Sequence, residues 1–313
     1  MSEIPASLIT RSGFVVITVI VLMSWGCSVA NMPAITDMPT RTTLPGKVVW
    51  HDLITDAPEA SQRFYRELFG WEFESVGVNL GSLNAIDYTL IRHNGRLIGG
   101  MVNQAQLQTR QDISQWISLI SVANVDVASA VVEASGGRVL TPPVNLAERG
   151  RLAVVADPQG ALFSLLQTDS RDPLDDSEAE VGGFLWDELW TGDISAAADF
   201  YKQLAGYAEE DSVEQADASI NSHYRLLRSQ GKPRVGIMKM PVKDINPIWV
   251  NYLRVADAAA LDAIVARVEG LGGAILLDPE DREIGGRVAL IAGPSGAGIA
   301  LQTWPLETQQ QGE

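Results

Sequence analysis

The sequence predicts an α+β chain of two tandem domains, each a pair of βαβββ modules joined into one cupped mixed sheet with helices on its outer face. Three observations carry this reading. One segment of the chain recurs at a fixed offset, each copy runs through the same order of strand and helix patterns, and an apolar N-terminal run stands apart from both copies.

The repeat sets the organisation. Trp50-His51-Asp52-Leu53-Ile54-Thr55 returns 136 residues later as Trp186-Asp187-Glu188-Leu189-Trp190-Thr191. The same offset pairs Phe64-Tyr65 with Phe200-Tyr201, Gly70 with Gly206, Tyr88 with Tyr224 and Gly100 with Gly236. Trp116 answers Trp249 after a short deletion, and Pro158-x-Gly160 answers Pro294-x-Gly296. The copies occupy residues 47–168 and 184–305. Residues 169–183, acidic and without an apolar period, read as a linker, and 306–313 as a polar tail.

Within the first copy, Val48 to Thr55 alternates and is rich in β-branched residues, as a strand requires. Asp56, Pro58 and Glu59 open a helix, Ala60, Phe64 and Leu68 give it one apolar face, and Gly70 stops it. Asn94-Gly95 marks a hairpin between the next strands, with His93 expected in an exposed turn. The pattern then restarts with a strand over Trp116–Val122, a helix over Asp126–Ser135 ended by Gly136-Gly137, and strands as far as Gln167. In the second copy Leu261, Ile264, Val265, Val268 and Leu271 mark the corresponding helix face.

Ahead of both copies, residues 12–36 carry no charge, Arg11 precedes them, and Phe14 to Trp25 is almost unbroken apolar sequence. A run of about a dozen apolar residues suits the core of a signal peptide better than a span of roughly 20. Ser24-Trp25-Gly26-Cys27 resembles a bacterial lipobox through Gly26 and Cys27. Residues 1–27 therefore read as a signal peptide with lipidation at Cys27, or as an uncleaved anchor. Both place the folded part outside the cytoplasm, with the membrane met only through the N-terminus. Residues 28–46, rich in Pro and Thr, are expected to be a tether.

Composition narrows the partners. The 313-residue chain is 46% hydrophobic and 20% charged, as a folded protein is, and its net charge of −16 disfavours nucleic acid as a partner. Cys27 is the sole cysteine and His51, His93 and His223 are the sole histidines, so an intrachain disulfide and a Cys-rich metal site are excluded.

The order of elements, with Phe64-Tyr65-Arg66-Glu67-Leu68-Phe69-Gly70-Trp71 and Asp157-Pro158-Gln159-Gly160, resembles the vicinal oxygen chelate superfamily of glyoxalases, extradiol dioxygenases and bleomycin-resistance proteins. That resemblance implies cupped sheets and, in the enzymes, metal ligands on the first and last strands of the modules. Aligned on the helix motif, those positions fall on Trp50, Ile117 and Ser164 in one domain and Trp186, Val250 and Ala300 in the other, with fourth-strand positions near Met101 and Ile237. None supplies an ordinary ligand, so no cofactor is expected, a divalent metal being the alternative. A one-residue offset should turn His51 towards the helices.

Period-two alternation then predicts the cup linings. Trp50, Asp52, Ile54, Leu119, Ser121 and Ser164 should line the first, and Trp186, Glu188, Trp190, Tyr252 and Arg254 the second. Glu188 and Arg254 are expected to neutralise each other. Asp52 has no evident cation and is the first candidate for acid-base work or for holding a cationic ligand. Three functions follow as alternatives: a non-enzymatic binder of an aromatic or cationic small molecule, a lyase- or isomerase-type enzyme using Asp52 or Glu188 with Tyr252 or a divalent metal, and a non-catalytic envelope scaffold.

Overall fold

The computed structural model describes residues 32–78, 86–107, 112–169, 171–175, 179–209, 224–241, 245–282 and 285–303. His223 and Cys27 lie outside them.

The first copy contains β1 (Val48–Thr55), α1 (Pro58–Phe69), β2 (Glu72–Val78), β3 (Ile86–His93), β4 (Arg96–Asn103), β5 (Gln115–Ser121), α2 (Val125–Ala134), β6 (Arg138–Asn145), β7 (Arg151–Ala156) and β8 (Leu162–Gln167). The second contains β9 (Phe184–Thr191), α3 (Ile194–Ala205), β10 (Ala208–Glu209), β11 (Tyr224–Ser229), β12 (Lys232–Lys239), β13 (Ile248–Val255), α4 (Ala258–Val268), β14 (Ala274–Asp281), β15 (Arg287–Ala292) and β16 (Gly298–Thr303). Each copy forms one eight-stranded mixed sheet, ordered β2-β3-β4-β1-β5-β8-β7-β6 and β10-β11-β12-β9-β13-β16-β15-β14. The α+β architecture is the one expected. In each sheet the first strands of the two modules lie side by side and antiparallel at the centre.

Local chemistry explains the element ends. Pro58 occupies the first turn of α1, and Gly70 closes it in the left-handed region at φ 71°. Asn94 and Gly95 both take positive φ, the requirement of a tight hairpin whose twist matches its strands. The Asp-Pro-x-Gly turn is held by its own side chain: Asp157 Oδ1 accepts from the backbone N–H groups of Gln159, Gly160 and Ala161 at 2.7–2.9 Å. Burial pushes the Asp157 carboxyl up, and these donors partly offset that.

The helices are not left facing solvent. The two sheets stand back to back with all four helices between them, α1 against α4 and α2 against α3, each meeting the helix of the opposite domain. Trp116 Nε1 donates to Tyr65 Oη at 3.0 Å, and Trp249 Nε1 donates to Tyr201 Oη at 3.1 Å, so the repeated tryptophan of the second module is fastened to the repeated tyrosine of the first helix. Tyr65, Trp71, Trp116 and Phe184 stack around this point and join the second domain's first strand to the first domain's core.

At the middle of the interface lies a buried polar cluster. His51 Nε2 is 2.9 Å from Asp187 Oδ1, and Asn251 Nδ2 donates to both Asp187 Oδ1 and Ser118 Oγ at 2.6 Å. His51 and Asp187 are repeat-equivalent, so the chain has placed the two members of one hydrogen-bonded pair at a single symmetric position.

Three expectations are corrected here. The residues read as a free tether are packed from Met32 onward, with Met32, Ile35 and Leu44 buried. The linker is pinned as well. Asp172, fully buried, accepts from Leu44 N–H and Ser121 Oγ at 2.6 Å and from Thr168 Oγ1 at 2.9 Å. His93 likewise is not exposed: it ends β3, is buried, and its Nε2 lies 2.8 Å from the Val181 carbonyl of the linker.

Asp172 satisfies three buried donors at once, and a buried donor left alone is expensive. Asp172→Ala is expected to lower unfolding free energy by about 3 kcal/mol, read from urea denaturation.

Candidate functional site

Strand register puts a row of large side chains across each cup. On the concave face Trp50 pairs with Leu119, and Leu119 with Ser164; in the second sheet Trp186 pairs with Tyr252, and Tyr252 with Ala300. The adjoining row runs Gly100–Asp52–Ile117 and Gly236–Glu188–Val250. Trp50, Asp52 and Leu119 thus share one cup, and Trp186, Glu188 and Tyr252 the other. His51 points to the opposite side, into the interdomain cluster, as its odd register requires.

Each cup is built around a carboxylate under a tyrosine hydroxyl. In the first, Tyr88 Oη donates to Asp52 Oδ1 at 2.5 Å, Trp50 Nε1 donates to the same oxygen at 2.9 Å, and Arg149 Nη1 donates to Tyr88 Oη at 3.2 Å. In the second, Glu188 is fully buried and accepts four donors. Tyr252 Oη lies at 2.5 Å, Arg282 Nη2 at 2.8 Å, Tyr224 Oη at 3.1 Å and Trp190 Nε1 at 3.4 Å. Burial works to lower the Arg282 pKa, the Glu188 carboxylate works to raise it, and the net shift is upward. Burial and then the Glu188 charge hold the Tyr252 and Tyr224 hydroxyls well above the ordinary phenol range, so both remain proton donors.

Sequence reasoning missed Tyr88, Tyr224, Arg149 and Arg282. The tyrosines left a signal, a repeated Tyr on the third strand facing a repeated Gly on the fourth. A Cβ at Gly100 would stand 1.7 Å from Tyr88 Oη, and one at Gly236 would stand 2.2 Å from Tyr224 Oη, so both glycines clear room for the hydroxyl. The arginines left none. Both come from the turn between the sixth and seventh strands of their domain, but from opposite ends of it, and no offset aligns them.

Four sequence expectations change. Arg254 does not neutralise Glu188; its Nη1 donates to the Ala179 carbonyl of the linker at 2.5 Å, and Arg282 takes the expected place. Ser121 turns its hydroxyl to Asp172 rather than to a ligand. Asp52 is not without a cation nearby, since Arg149 reaches it through Tyr88. Met101 and Ile237 belong to the helix-side cores, and Gly100 and Gly236 are the fourth-strand residues that face the cups. Ile54 is half-buried in the first cup's apolar cluster, Trp190 is buried in the second's, and Ser164 is buried beside Leu119.

A divalent metal needs imidazole or carboxylate donors that converge. The concave positions expected to correspond to family ligands hold Trp50, Ile117 and Ser164, and Trp186, Val250 and Ala300. Both oxygens of Glu188 are already taken by the donors around it. Among the described residues no three His, Cys, Asp or Glu side chains come together. The side chains in these cups do not fit such an ion.

Comparison with known proteins agrees with the fold. Residues 47–165 match the Glyoxalase/Bleomycin resistance protein/Dioxygenase superfamily. A Mycobacterium tuberculosis (strain CDC 1551 / Oshkosh) protein named "Putative glyoxylase CFP32" is 29% identical over 261 residues, 83% of this chain and 96% of that one. The "Anthracycline biosynthesis protein DnrV" of Streptomyces peucetius is 29% identical over 273 residues, 82% of this chain and 93% of that one. Among solved structures, the Mn(II)-bound glyoxalase of Novosphingobium aromaticivorans superposes with a TM-score of 0.54 at 16% identity, covering 84% of this chain and 83% of that one. The 2,3-dioxygenase LapB of Pseudomonas sp. KL28 gives 0.54 at 12% identity, covering 87% and 96%. At such identities the structures speak for the fold alone.

Two outcomes test this geometry. Gly236→Ala drives a methyl group against Tyr224 and is expected to destabilise the chain by about 1–3 kcal/mol in urea unfolding. Folding stability is also expected to fall as pH rises above about 10, because the unfolded chain releases phenolic protons there that the folded cups retain; Tyr252→Phe should shallow that slope. The superfamily match lies over the first sheet, and the second sheet repeats its strand order, so the chain is built of two tandem domains with the fold of the glyoxalase/bleomycin resistance protein/dioxygenase superfamily.

Proposed function

We propose that this protein binds a small, uncharged aromatic molecule in the cup of its second domain, and that it does so from a membrane-anchored position outside the cytoplasm. The observation that carries the ligand class is the neutralisation of Glu188 by Arg282 beneath a wall of apolar and aromatic side chains. Trp186, Met238, Met240 and Ile248 are only partly buried and pack against the apolar cluster of Trp190 and Tyr252, the two residues whose polar atoms reach Glu188. An aromatic, largely apolar concavity with a few fixed polar groups suits a flat hydrophobic ligand. The buried carboxylate has spent its charge on an internal guanidinium, which removes the reason to attract a cation. The naming of one relative for anthracycline biosynthesis supports a polycyclic aromatic.

A second reading rests on the 2.5 Å contact between Tyr252 and Glu188. A buried phenol can lend its proton to a bound carbonyl oxygen and take the same proton back as the product forms, which is general acid-base catalysis by one side chain without a metal. The enzyme and the binder share one pocket and differ in whether the ligand changes.

Titration calorimetry with a neutral hydroxyanthraquinone and its cationic aminoalkyl analogue tests the ligand class. The neutral compound is expected to bind more tightly, with Trp186→Ala weakening it about tenfold through lost ring contact. Preference for the cation, or indifference to Trp186, would refute it. If Tyr252→Phe leaves binding intact while abolishing turnover of the bound compound, the enzyme reading replaces the binder.

The anchored position is supported by the apolar run before Cys27, which lies outside the described residues. Among the described residues no helix is long and apolar enough to cross a membrane. Metabolic labelling with a radioactive fatty acid in a bacterial host is expected to mark the parent chain and not Cys27→Ser.

A further inference from the structure

The first cup is already filled, by the chain's own N-terminal segment. Met32 and Ile35 are buried in the same apolar cluster as Trp50, Tyr88, Leu90, Ile117, Leu119 and Leu146. The segment runs across the concave face. At one end Arg149 N–H donates to the Met32 carbonyl at 3.2 Å, and Arg149 Nε donates to the Pro33 carbonyl at 2.8 Å. At the other, Asp37 Oδ2 accepts from Arg92 Nη1 on β3 at 2.6 Å.

Nothing in the repeat requires this. In the second copy the residues 136 positions further on include Thr168 and Asp172, which are bonded to each other at the edge of the first domain rather than laid over Glu188. The segment is an addition to the fold, seated where a ligand of the first domain would go.

What it covers is a recognition group. Arg149 is 1% exposed, its guanidinium lies 4.8 Å from the Trp50 ring centre and 5.2 Å from that of Tyr88, and its Nη2 has no hydrogen-bond partner among the described residues. A buried guanidinium nitrogen without an acceptor is costly, and the backbone carbonyl of Pro33 satisfies only its neighbour Nε. The pocket therefore retains one donor more than its peptide occupant can use.

We propose that Met32–Ile35 is an internal occupant of a second binding site in the first cup. That site takes an apolar or aromatic molecule carrying an acceptor oxygen, which replaces the Pro33 carbonyl at Arg149 and also engages the idle Nη2. Ile35 and Met32 stand in for the apolar body, and the Pro33 carbonyl for the acceptor. Ligand and segment then exclude each other, so the first cup opens only when residues 32–35 lift away. This concerns the first cup and holds whether or not the second binds an aromatic compound.

The test uses the full chain and 8-anilinonaphthalene-1-sulfonate, an aromatic body with acceptor oxygens, followed by fluorescence titration and by hydrogen exchange of peptides covering residues 32–37. Ile35→Ser is expected to raise exchange in that segment at least tenfold and to add one dye site per chain over the parent. The added site should vanish in Ile35→Ser combined with Arg149→Met, both variants keeping a cooperative melt. An unchanged number of dye sites despite free exchange of residues 32–37, or an added site that survives loss of Arg149, would overturn the proposal. Should Ile35→Ser melt without cooperativity, the parent chain decides. Saturating dye must raise exchange of residues 32–37 and of no other segment, and steady exchange there defeats the proposal.

Discussion

The contact between His51 and Asp187 anchors the architecture. These residues are the same position in the two copies, and each sits between two cup-facing neighbours, Trp50 and Asp52 on one strand and Trp186 and Glu188 on the other. Because strand side chains alternate, fixing one residue on the interdomain side fixes its neighbours in the cup. The buried pair, held also by Asn251 and Ser118, therefore sets the register of both central strands at once. A buried hydrogen-bonded polar pair adds little net stability against an apolar substitute, but it penalises any packing that separates the partners. It acts here as a specifier of how two similar domains meet.

Back-to-back packing has a consequence for the cups. With the helices consumed between the sheets, each concave face must be completed by whatever else the chain supplies. The two domains solve this differently. The first recruits residues 32–37 and the buried Arg149, and the second surrounds Glu188 with Tyr224, Tyr252, Trp190 and Arg282. The same ancestral frame thus carries one cup closed by peptide and another lined by aromatic and thioether side chains at its mouth.

Both cups share a motif that is a matter of space as much as chemistry. A glycine on the fourth strand admits a tyrosine hydroxyl from the third, and that hydroxyl meets the carboxylate of the first. Burying a carboxylate is unfavourable unless its lone pairs are met, so the glycine, the phenol and the arginine form one solution to one desolvation problem. The motif uses side chains that hold and donate protons.

Repetition, strand and helix periods and turn residues were legible because they are local: alternation over Val48–Thr55, Pro58 at a helix start and Asn94-Gly95 in a hairpin all act within a few residues. Those periods also placed Trp50, Asp52, Trp186, Glu188 and Tyr252 on concave faces, since parity follows from strand geometry alone. What they could not give was the partner of each carboxylate. Arg282 and not Arg254 reaches Glu188 because the turn before β15 folds over the cup, while Arg254, at the strand's end, is drawn off by the linker. The packing of residues 32–46 was equally hidden, for a Pro- and Thr-rich stretch without an apolar period reads as a tether unless a surface awaits it. The sequence by itself determined the two sheets and the face each side chain takes. Only the tertiary structure decided which distant groups close over those faces, because that depends on where loops and termini return in space, and no period along the chain records it.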